Sequence, residues 1–139
     1  MPTTNYINAL AGQVSKLKAE ANVRSGIYTG KPLNGYVKAL WTDIHQVDVA
    51  KRKQIVGIFR LAAATRLSLR TLLEEARRSG LTSSRGETLS LNSLHLMLTN
   101  PFYYGLIRLN DELYPGLHEA LVSPQIFEVI ERKLQGRRC

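Results

Sequence analysis

The side chains that could support catalysis are few, and their spacing does not assemble an active site. Ser83 and Ser84 stand in a polar turn beside Arg85, but no histidine or carboxylate is placed in the sequence to activate either hydroxyl. Glu74 and Glu75 are neighbours on a predicted helix, so their carboxylates point about 100° apart. Phosphate-binding, GxSxG and HExxH motifs are absent from the sequence. We therefore predict no catalytic residues and no enzymatic activity of this chain by itself.

Residue types that bind metals are equally sparse. His45, His95 and His118 lack the short spacings of zinc ligands. Cys139 is the one cysteine, which permits no internal disulfide and makes a reducing, cytoplasmic setting the default.

The first ten residues lack the regions of a secretion signal, and no apolar run approaches the roughly 18 residues that cross a bilayer. We expect no metal site, no cofactor and no membrane partner.

The charge distribution indicates what the chain binds. Its 139 residues include 19 Lys and Arg against 11 Asp and Glu, for a net charge of +8. Residues 1–70 hold 11 basic and 3 acidic side chains, whereas residues 71–139 hold 8 of each. All of the excess positive charge therefore lies in the first half. Such an asymmetry favours a surface for a polyanion, most often nucleic acid.

The first half begins with a predicted helix and a glycine-rich loop. Residues 5–25 repeat apolar side chains at three- and four-residue steps, and this narrow stripe consists of Ile7, Leu10, Val14, Leu17 and Ala21. A helix with so narrow a stripe is expected to lie on a surface rather than inside a core. Residues 26–36, GIYTGKPLNGY, are predicted to form a loop. Strand-like residues 36–40 and 44–47 then predict a short hairpin, with Trp41 in the core or partly buried.

Three helices follow, each with a local start signal. The predicted N-caps are Asp48, Ser68 and Ser90. Gly80 ends the second of these helices and Pro101 ends the third. The predicted buried faces are Ile55, Val56, Phe59, Ala62 or Ala63; then Leu69, Leu72, Leu73 and Ala76; then Leu91, Leu94, Met97 and Leu98.

A second hairpin and a last helix complete the chain. Strands are predicted over roughly residues 103–108 and 112–114, joined by Asn110 and Asp111. Ser123 and Pro124 begin the last helix, whose stripe is Ile126, Phe127, Ile130 and Leu134. Helix, helix, turn, helix and hairpin is the order of a winged helix-turn-helix. The predicted fold is mainly α with small β-hairpins, a winged helix-turn-helix-like domain preceded by a long N-terminal helix.

The second half of the sequence resembles the recombinase domain of large serine recombinases, a family of phage integrases and transposon-type enzymes. The motifs occur in the family's order: Ser68-Leu69, Gly80, Arg85-Gly86, Leu89-Ser90, Leu98-Thr99-Asn100-Pro101-Phe102, Tyr104-Gly105, YPGLHE at 114–119 and Phe127. Residues 18–36 are similar to the end of that family's long linking helix and the glycine-rich loop after it. The resemblance covers about residues 10–136.

The resemblance implies a role in site-specific recombination of DNA, as integration, excision or inversion. In this family a catalytic serine domain comes first and a zinc ribbon follows the recombinase domain. Neither is recognisable in this sequence, so the chain is interpreted as a fragment, and Cys139 could be the first ligand of an interrupted ribbon. Residues 1–35 would form the linking helix and loop, and residues 36–139 the DNA-binding domain.

The resemblance also implies which residues meet double-stranded DNA. The first helix would contact phosphates, the glycine-rich loop would follow the minor groove, and the third capped helix would approach base edges. The predicted DNA-binding residues are Lys16, Lys18, Arg24, Lys31, Arg85, Ser90, Asn92, Ser93 and His95. The second hairpin is expected to hold that helix at its angle, with His118 as a local hydrogen-bonding residue.

Two other functional classes remain open from the sequence. One is a winged-helix transcriptional regulator that binds its operator as a homodimer, with the first helix as the seam. The other is a protein-interaction module that docks the Leu10, Val14 and Leu17 stripe on a partner helix.

Overall fold

The fold is built from five helices and two small antiparallel hairpins. The computed structural model describes residues 13–14, 16–66 and 68–136. The first helix, α1, covers residues 16–24. The following elements are β1 (Tyr36–Val37), β2 (Gln46–Val47), α2 (Val49–Ala64), α3 (Leu69–Arg78), α4 (Leu91–Thr99), a 3₁₀ turn (Pro101–Tyr104), β3 (Leu106–Leu109), β4 (Glu112–Pro115) and α5 (Pro124–Gly136). The predicted fold class is confirmed. The predicted start of the first helix, with Ile7 and Leu10, lies outside the described residues, as does Cys139.

Local capping sets where the later helices begin. Each predicted N-cap side chain accepts a backbone N–H two or three residues downstream; these residues are Asp48, Ser68, Ser90 and Ser123. Gly80 follows α3 with a φ of 90°, which only glycine adopts without strain. The three predicted helix starts and the start of the last helix are therefore confirmed, because each depends on contacts within one turn.

The core lies between the four helices α2, α3, α4 and α5. Helix α2 packs against α3 and α5, and α4 packs against the same two helices. The side chains at the centre of this core are Ile55, Phe59, Ala76, Leu94, Leu98 and Ile130. Two details differ from the predicted faces. Ile58 is buried whereas Val56 is only partly so, and Leu91 is 38% exposed because it is the first residue of α4.

The hairpin β1–β2 leaves its turn outside the core. Only two residue pairs join the strands, Tyr36 with Val47 and Val37 with Gln46. Tyr36 is buried, but Trp41 is 79% exposed, so the prediction that Trp41 lies in the core or is partly buried was wrong. With strands this short, the turn at Leu40 and Trp41 extends past the surface on which Tyr36 packs, and the chain is buried again at His45.

The hairpin β3–β4 is a wing beside α4. Asn110 and Asp111 have positive φ values of 49° and 66°, which confirms the predicted turn. The first strand begins later than predicted, because Tyr103 and Tyr104 belong to the 3₁₀ turn. The Asn100 side chain accepts the Phe102 N–H at 3.0 Å and so starts this turn.

Candidate nucleic-acid interface

Helix α4 carries an exposed ridge on the side opposite its core contacts. Leu94 and Leu98 are buried. Successive residues of an α-helix are rotated by about 100° about its axis, so the face opposite these two leucines carries Asn92, Leu96 and Thr99. Leu96 is 58% exposed although it stands in the middle of the helix. The ridge thus presents the Asn92 amide and the Leu96 isobutyl group, whereas the partly buried Thr99 donates its hydroxyl to the His95 carbonyl at 2.8 Å.

The other predicted contact residues of α4 lie beside this ridge. The Ser90 hydroxyl oxygen accepts the Ser93 N–H at 3.1 Å and donates to the Ser93 hydroxyl at 2.9 Å, so Ser90 is committed to capping the helix. Ser93 faces the glycine-rich loop across a groove. His95 lines a cleft on the opposite flank, towards the wing and α5. Asn92 is therefore the predicted contact residue that points straight outward.

The glycine-rich loop, residues 26–35, runs along the Ser93 flank of α4. A groove of about 310 Å³ separates the two, and its lining includes Lys31, Leu33, Ser84, Ser93 and Leu96. The Lys31 side chain is exposed at its edge. The structure therefore brings Lys31 and Ser93, two predicted DNA-binding residues that are distant in sequence, to one groove.

A small polar network fixes the loop in this place. The Asn34 amide donates to the Thr82 carbonyl at 2.9 Å, and the Lys51 ammonium donates to the Asn34 side-chain oxygen at 2.9 Å and to the Ser83 carbonyl at 2.8 Å. The Tyr103 hydroxyl donates to the Asn34 carbonyl at 2.6 Å. Burial and the neighbouring Tyr36 raise the pKa of Tyr103, which keeps it a donor. Asn34 thus ties the loop to α2, to the turn before α4 and to the 3₁₀ turn.

An aromatic cluster supports the loop from beneath. The rings of Phe102 and His118 are stacked with centroids 3.6 Å apart, and Tyr28 and Tyr36 meet Phe102 edge-on at 5.5 and 4.8 Å. Tyr28 also meets His45 edge-on at 5.5 Å. The Tyr28 ring covers the α-carbon of Gly30 so closely that a β-carbon there would collide with it. The cluster explains why residue 30 is glycine and how the loop keeps its path.

Both histidines of the cluster are held in the neutral form. Burial lowers the pKa of His45, and the Lys38 ammonium lowers it further. Burial also lowers the pKa of His118, with a smaller effect of His45, while a 2.7 Å hydrogen bond to the Phe102 carbonyl opposes the shift. His118 is thus a buried, hydrogen-bonded residue, as predicted. His45 Nδ1 is buried without a hydrogen-bond partner.

These histidines are expected to make the domain sensitive to acid. The pKa values in the folded state lie below the ordinary 6.5, so the unfolded chain takes up protons first as the pH falls. The free energy of unfolding should be constant with respect to these groups above about pH 7.5 and should fall as the pH drops through 6.5 and below. Urea unfolding at several pH values between 5 and 8 measures this dependence. The His45→Gln/His118→Gln variant should flatten it, and an unchanged slope in that variant would contradict the assignment.

The remaining predicted cations are exposed but do not form one cluster with α4. Lys16, Lys18 and Arg24 are exposed on α1, and about 12 Å of helix separates Lys16 from Arg24. Arg85 is exposed in the turn before α4, where its N–H donates to the Ser83 hydroxyl at 3.3 Å. Arg85 therefore lies near the start of α4, whereas the three cations of α1 are available on a separate helix.

Arg108 is a candidate contact that the sequence analysis missed. It is exposed on β3 and lines a pocket with Leu96 and Thr99 as well as the cleft that holds His95. Its neighbour Ile107 is buried, so the alternation of the strand directs Arg108 outward. That alternation was visible in the sequence, but the proximity of this strand to α4 was not. Arg108 thus lies beside the C-terminal part of the ridge, where it borders both the His95 cleft and a pocket that the loop residues Tyr28 and Leu33 also line.

Neither a metal site nor a membrane segment was found in the part of the chain that the structure describes. No three His, Cys, Asp or Glu side chains within residues 13–14, 16–66 and 68–136 are grouped to hold a metal ion. None of the helices in those ranges is long and apolar enough to cross a membrane.

Comparisons with known proteins concern the fold and the family of the chain. No curated protein matches the sequence. The fold is similar to that of the chain in a structure described as the crystal structure of an LSR–DNA complex, with a TM-score of 0.74, 18% identity, and coverage of 91% of this chain and 42% of the other. A structure from work on the sequence requirements of the Listeria innocua prophage attP site gives a TM-score of 0.70, 20% identity, and coverage of 88% and 50%.

This chain thus spans half or less of the length of those two structures. Residues 50–137 match the model of the family described as Recombinase. The family expected from the sequence motifs is confirmed, and the chain belongs to the Recombinase family.

Proposed function

We propose that this chain binds double-stranded DNA as the non-catalytic, DNA-binding part of a serine site-specific recombinase, acting in the cytoplasm beside the nucleoid. The observation that carries the proposal is the exposed ridge of α4 with Lys31 at the groove along one side and Arg108 beside its C-terminal part. A similar fold in an LSR–DNA complex supports it. In this proposal residues 1–35 form the linking helix and loop, which add phosphate contacts, and residues 36–139 form the DNA-binding domain.

In this proposal α4 enters the major groove and its ridge meets base edges. The Asn92 amide has a donor and an acceptor side by side, which match N6 and N7 of adenine. Leu96 offers an apolar surface for the methyl group of thymine, and this explains an exposed leucine on a polar ridge. Ser93 and His95 contact the flanking base or phosphate on each side, while Ser90 keeps the helix end in place.

Phosphate contacts fix the register of α4 in the groove. Lys16, Lys18 and Arg24 of α1 contact one stretch of backbone, and the glycine-rich loop with Lys31 follows the adjacent minor groove. Arg85 lies at the N-terminal approach to α4, where the helix dipole also favours a phosphate. Arg108 contacts the backbone from the wing.

Salt dependence of binding tests the proposal. With about six phosphates neutralised, the logarithm of the association constant should fall with the logarithm of salt concentration with a slope of about −5. Fluorescence anisotropy of a labelled 30-base-pair duplex pool, measured between roughly 50 and 300 mM salt, gives this slope. A chain that binds no duplex, or binds with an affinity that ignores salt, would refute the proposal.

The base-contacting role of α4 has a separate test. Replacing Asn92 by alanine should relax sequence preference at one adenine by about 1 to 3 kcal/mol and leave the salt slope unchanged. Selection of bound sequences from a random duplex pool, followed by affinities for single-base variants of the winner, measures both. The matched control is Asn110→Gly in the turn of the wing, which should keep the selected sequence. The same preference in both variants would exclude Asn92 as a base contact.

Self-association is a second candidate function, favoured by one observation. Val14 and Leu17 of the N-terminal helical segment are 53% and 65% exposed, so these two residues of the predicted stripe do not pack on the described domain. A copy of the same helix is the proposed partner, which would make the chain a homodimer on two half-sites. Sedimentation velocity of the free chain and of a Leu17→Glu variant distinguishes a dimer that uses this stripe from a monomer.

A further inference from the structure

The turn of the hairpin β1–β2 exposes two large apolar side chains side by side. Leu40 is fully exposed and Trp41 is 79% exposed, with Val37 at 42% just below them. A tryptophan and a leucine together at the end of a short hairpin expose apolar surface that water solvates poorly. Within the described residues, the hairpin is held to the core by the buried Tyr36, and the exposed Leu40 and Trp41 contribute little to that packing.

The base of this hairpin packs on the glycine-rich loop. His45 meets the Tyr28 ring edge-on at 5.5 Å. A cleft of about 160 Å³ between loop and hairpin is lined by Thr29, Lys38, Thr42 and Asp43, together with Ala39 and His45. The loop residues further along, Lys31 and Leu33, line the groove against α4. The glycine-rich loop therefore lies between the hairpin and α4 and borders both of them.

We propose that the Leu40–Trp41 turn is a wedge that contacts the bases of DNA in the minor groove. The inference rests on the proposed function, in which the neighbouring loop already follows that groove. Aromatic rings stack on bases irrespective of sequence, and apolar side chains inserted at a base step are a recurrent means of binding the minor groove. Lys38, exposed on the same hairpin, contacts the flanking phosphate. Asp43 on the returning arm is exposed and lines the same cleft as Lys38.

DNA fits this turn better than a protein partner does because of what surrounds it. The hairpin lies in the half of the chain that holds the whole net charge of +8. It is also continuous with the loop that carries Lys31. An apolar protein surface would have to cover Leu40 and Trp41 while leaving the adjacent loop free for DNA. One duplex covers both.

Fluorescence of Trp41 tests the wedge directly, since it is the one tryptophan of the chain. The full chain is titrated with a duplex whose binding is followed independently by anisotropy of a label on the DNA. Trp41 emission should be quenched in step with binding, and its acrylamide quenching constant should drop several-fold. Saturable DNA binding with unchanged emission and unchanged acrylamide access overturns the wedge but leaves the proposed function intact. Absence of any DNA binding overturns both.

Variants give a second measurement. Trp41→Ser should weaken binding to all duplexes alike, by roughly 10- to 100-fold for the loss of one stacked base. Trp41→Phe should restore most of the affinity. The matched control is Val49→Ser, because Val49 is 81% exposed just after the same hairpin and should be neutral. Equal affinities of the Trp41→Ser and Val49→Ser variants overturn the proposal. A second result would also overturn the proposal. If Trp41 emission shifts to the blue as the protein concentration rises without DNA, and a dimer forms at the same time, the turn binds a second copy of the chain.

Discussion

A chain in which Lys16, Lys18 and Lys31 are all replaced by glutamine is expected to bind duplex DNA about 500-fold more weakly at 0.1 M salt. Each neutralised phosphate contributes about −0.9 to the slope of the logarithm of the association constant against the logarithm of salt concentration. Three lost contacts should therefore make this slope less steep by about 2.7. At 0.1 M salt the association constant should fall by about the same number of decades. All three side chains are exposed, so the substitutions should leave the fold intact. Anisotropy titrations at several salt concentrations measure both quantities, and circular dichroism verifies folding.

The control for this prediction removes the same charge elsewhere. Lys53 and Arg60 lie seven residues apart on the outward face of α2, and Arg132 is exposed on α5. Replacing these three by glutamine changes the net charge equally but removes no proposed phosphate contact. For this control variant, the slope of the logarithm of the association constant against the logarithm of salt concentration should stay within about one unit of the value for the unsubstituted chain. If the two triple variants lost affinity equally, the effect would come from net charge and not from a defined DNA surface.

The comparison of these variants also bears on how the domain divides its contacts. The net positive charge belongs to the first half of the chain, whereas the exposed ridge of α4 is apolar and amide-bearing. In the proposed binding mode most of the phosphate contacts come from α1 and the glycine-rich loop, and the base contacts come from α4. The Asn34 network joins the glycine-rich loop to the turn before α4. It therefore keeps the charged loop and the helix that is proposed to contact bases at one fixed spacing.

Much of this fold could be predicted because its signals are local. A serine or aspartate cap acts within one turn of its helix, and an Asn–Asp pair determines a tight turn by its own backbone preferences. Ser68, Ser90 and Ser123 are therefore found as N-caps where the sequence placed them. The outward position of Asn92 likewise followed from the 3.6-residue period once the apolar face of α4 was known.

The features that sequence reasoning missed depend on contacts between distant segments. Arg108 could not be assigned to the interface without the position of the wing beside α4. Trp41 was expected inside because large aromatic side chains usually are, but two-residue strands could not draw its turn onto the core. Lys133 caps the end of α2 by donating to the carbonyls of Ala63 and Thr65 at 2.6 Å, across about seventy residues of sequence. No local pattern specifies such a pairing.

Replacing Phe102 by alanine is expected to lower the free energy of unfolding by about 4 kcal/mol. Phe102 is 3% exposed, and its ring stacks on His118 and meets both Tyr28 and Tyr36 edge-on. Truncation leaves a cavity and removes aromatic contacts that the neighbouring rings cannot replace by collapse, since Tyr36 and Tyr103 are fixed by hydrogen bonds to backbone carbonyls. Thermal unfolding should shift down by about 12 °C.

The same substitution should act on DNA binding through the loop and not through α4. Without the Phe102 ring the Tyr28 side chain loses its support, so the path of residues 26–35 loosens while the helices keep their packing. Amide hydrogen exchange should therefore rise in that loop more than in α4, and the loss of affinity should lower the salt slope by about 0.9, the contribution of Lys31. Leu113→Ala, on the exposed face of the wing, is the matched control and should change stability by no more than about 0.5 kcal/mol. Exchange that rises equally throughout the domain would mean that Phe102 supports the whole core and does not specifically position the loop.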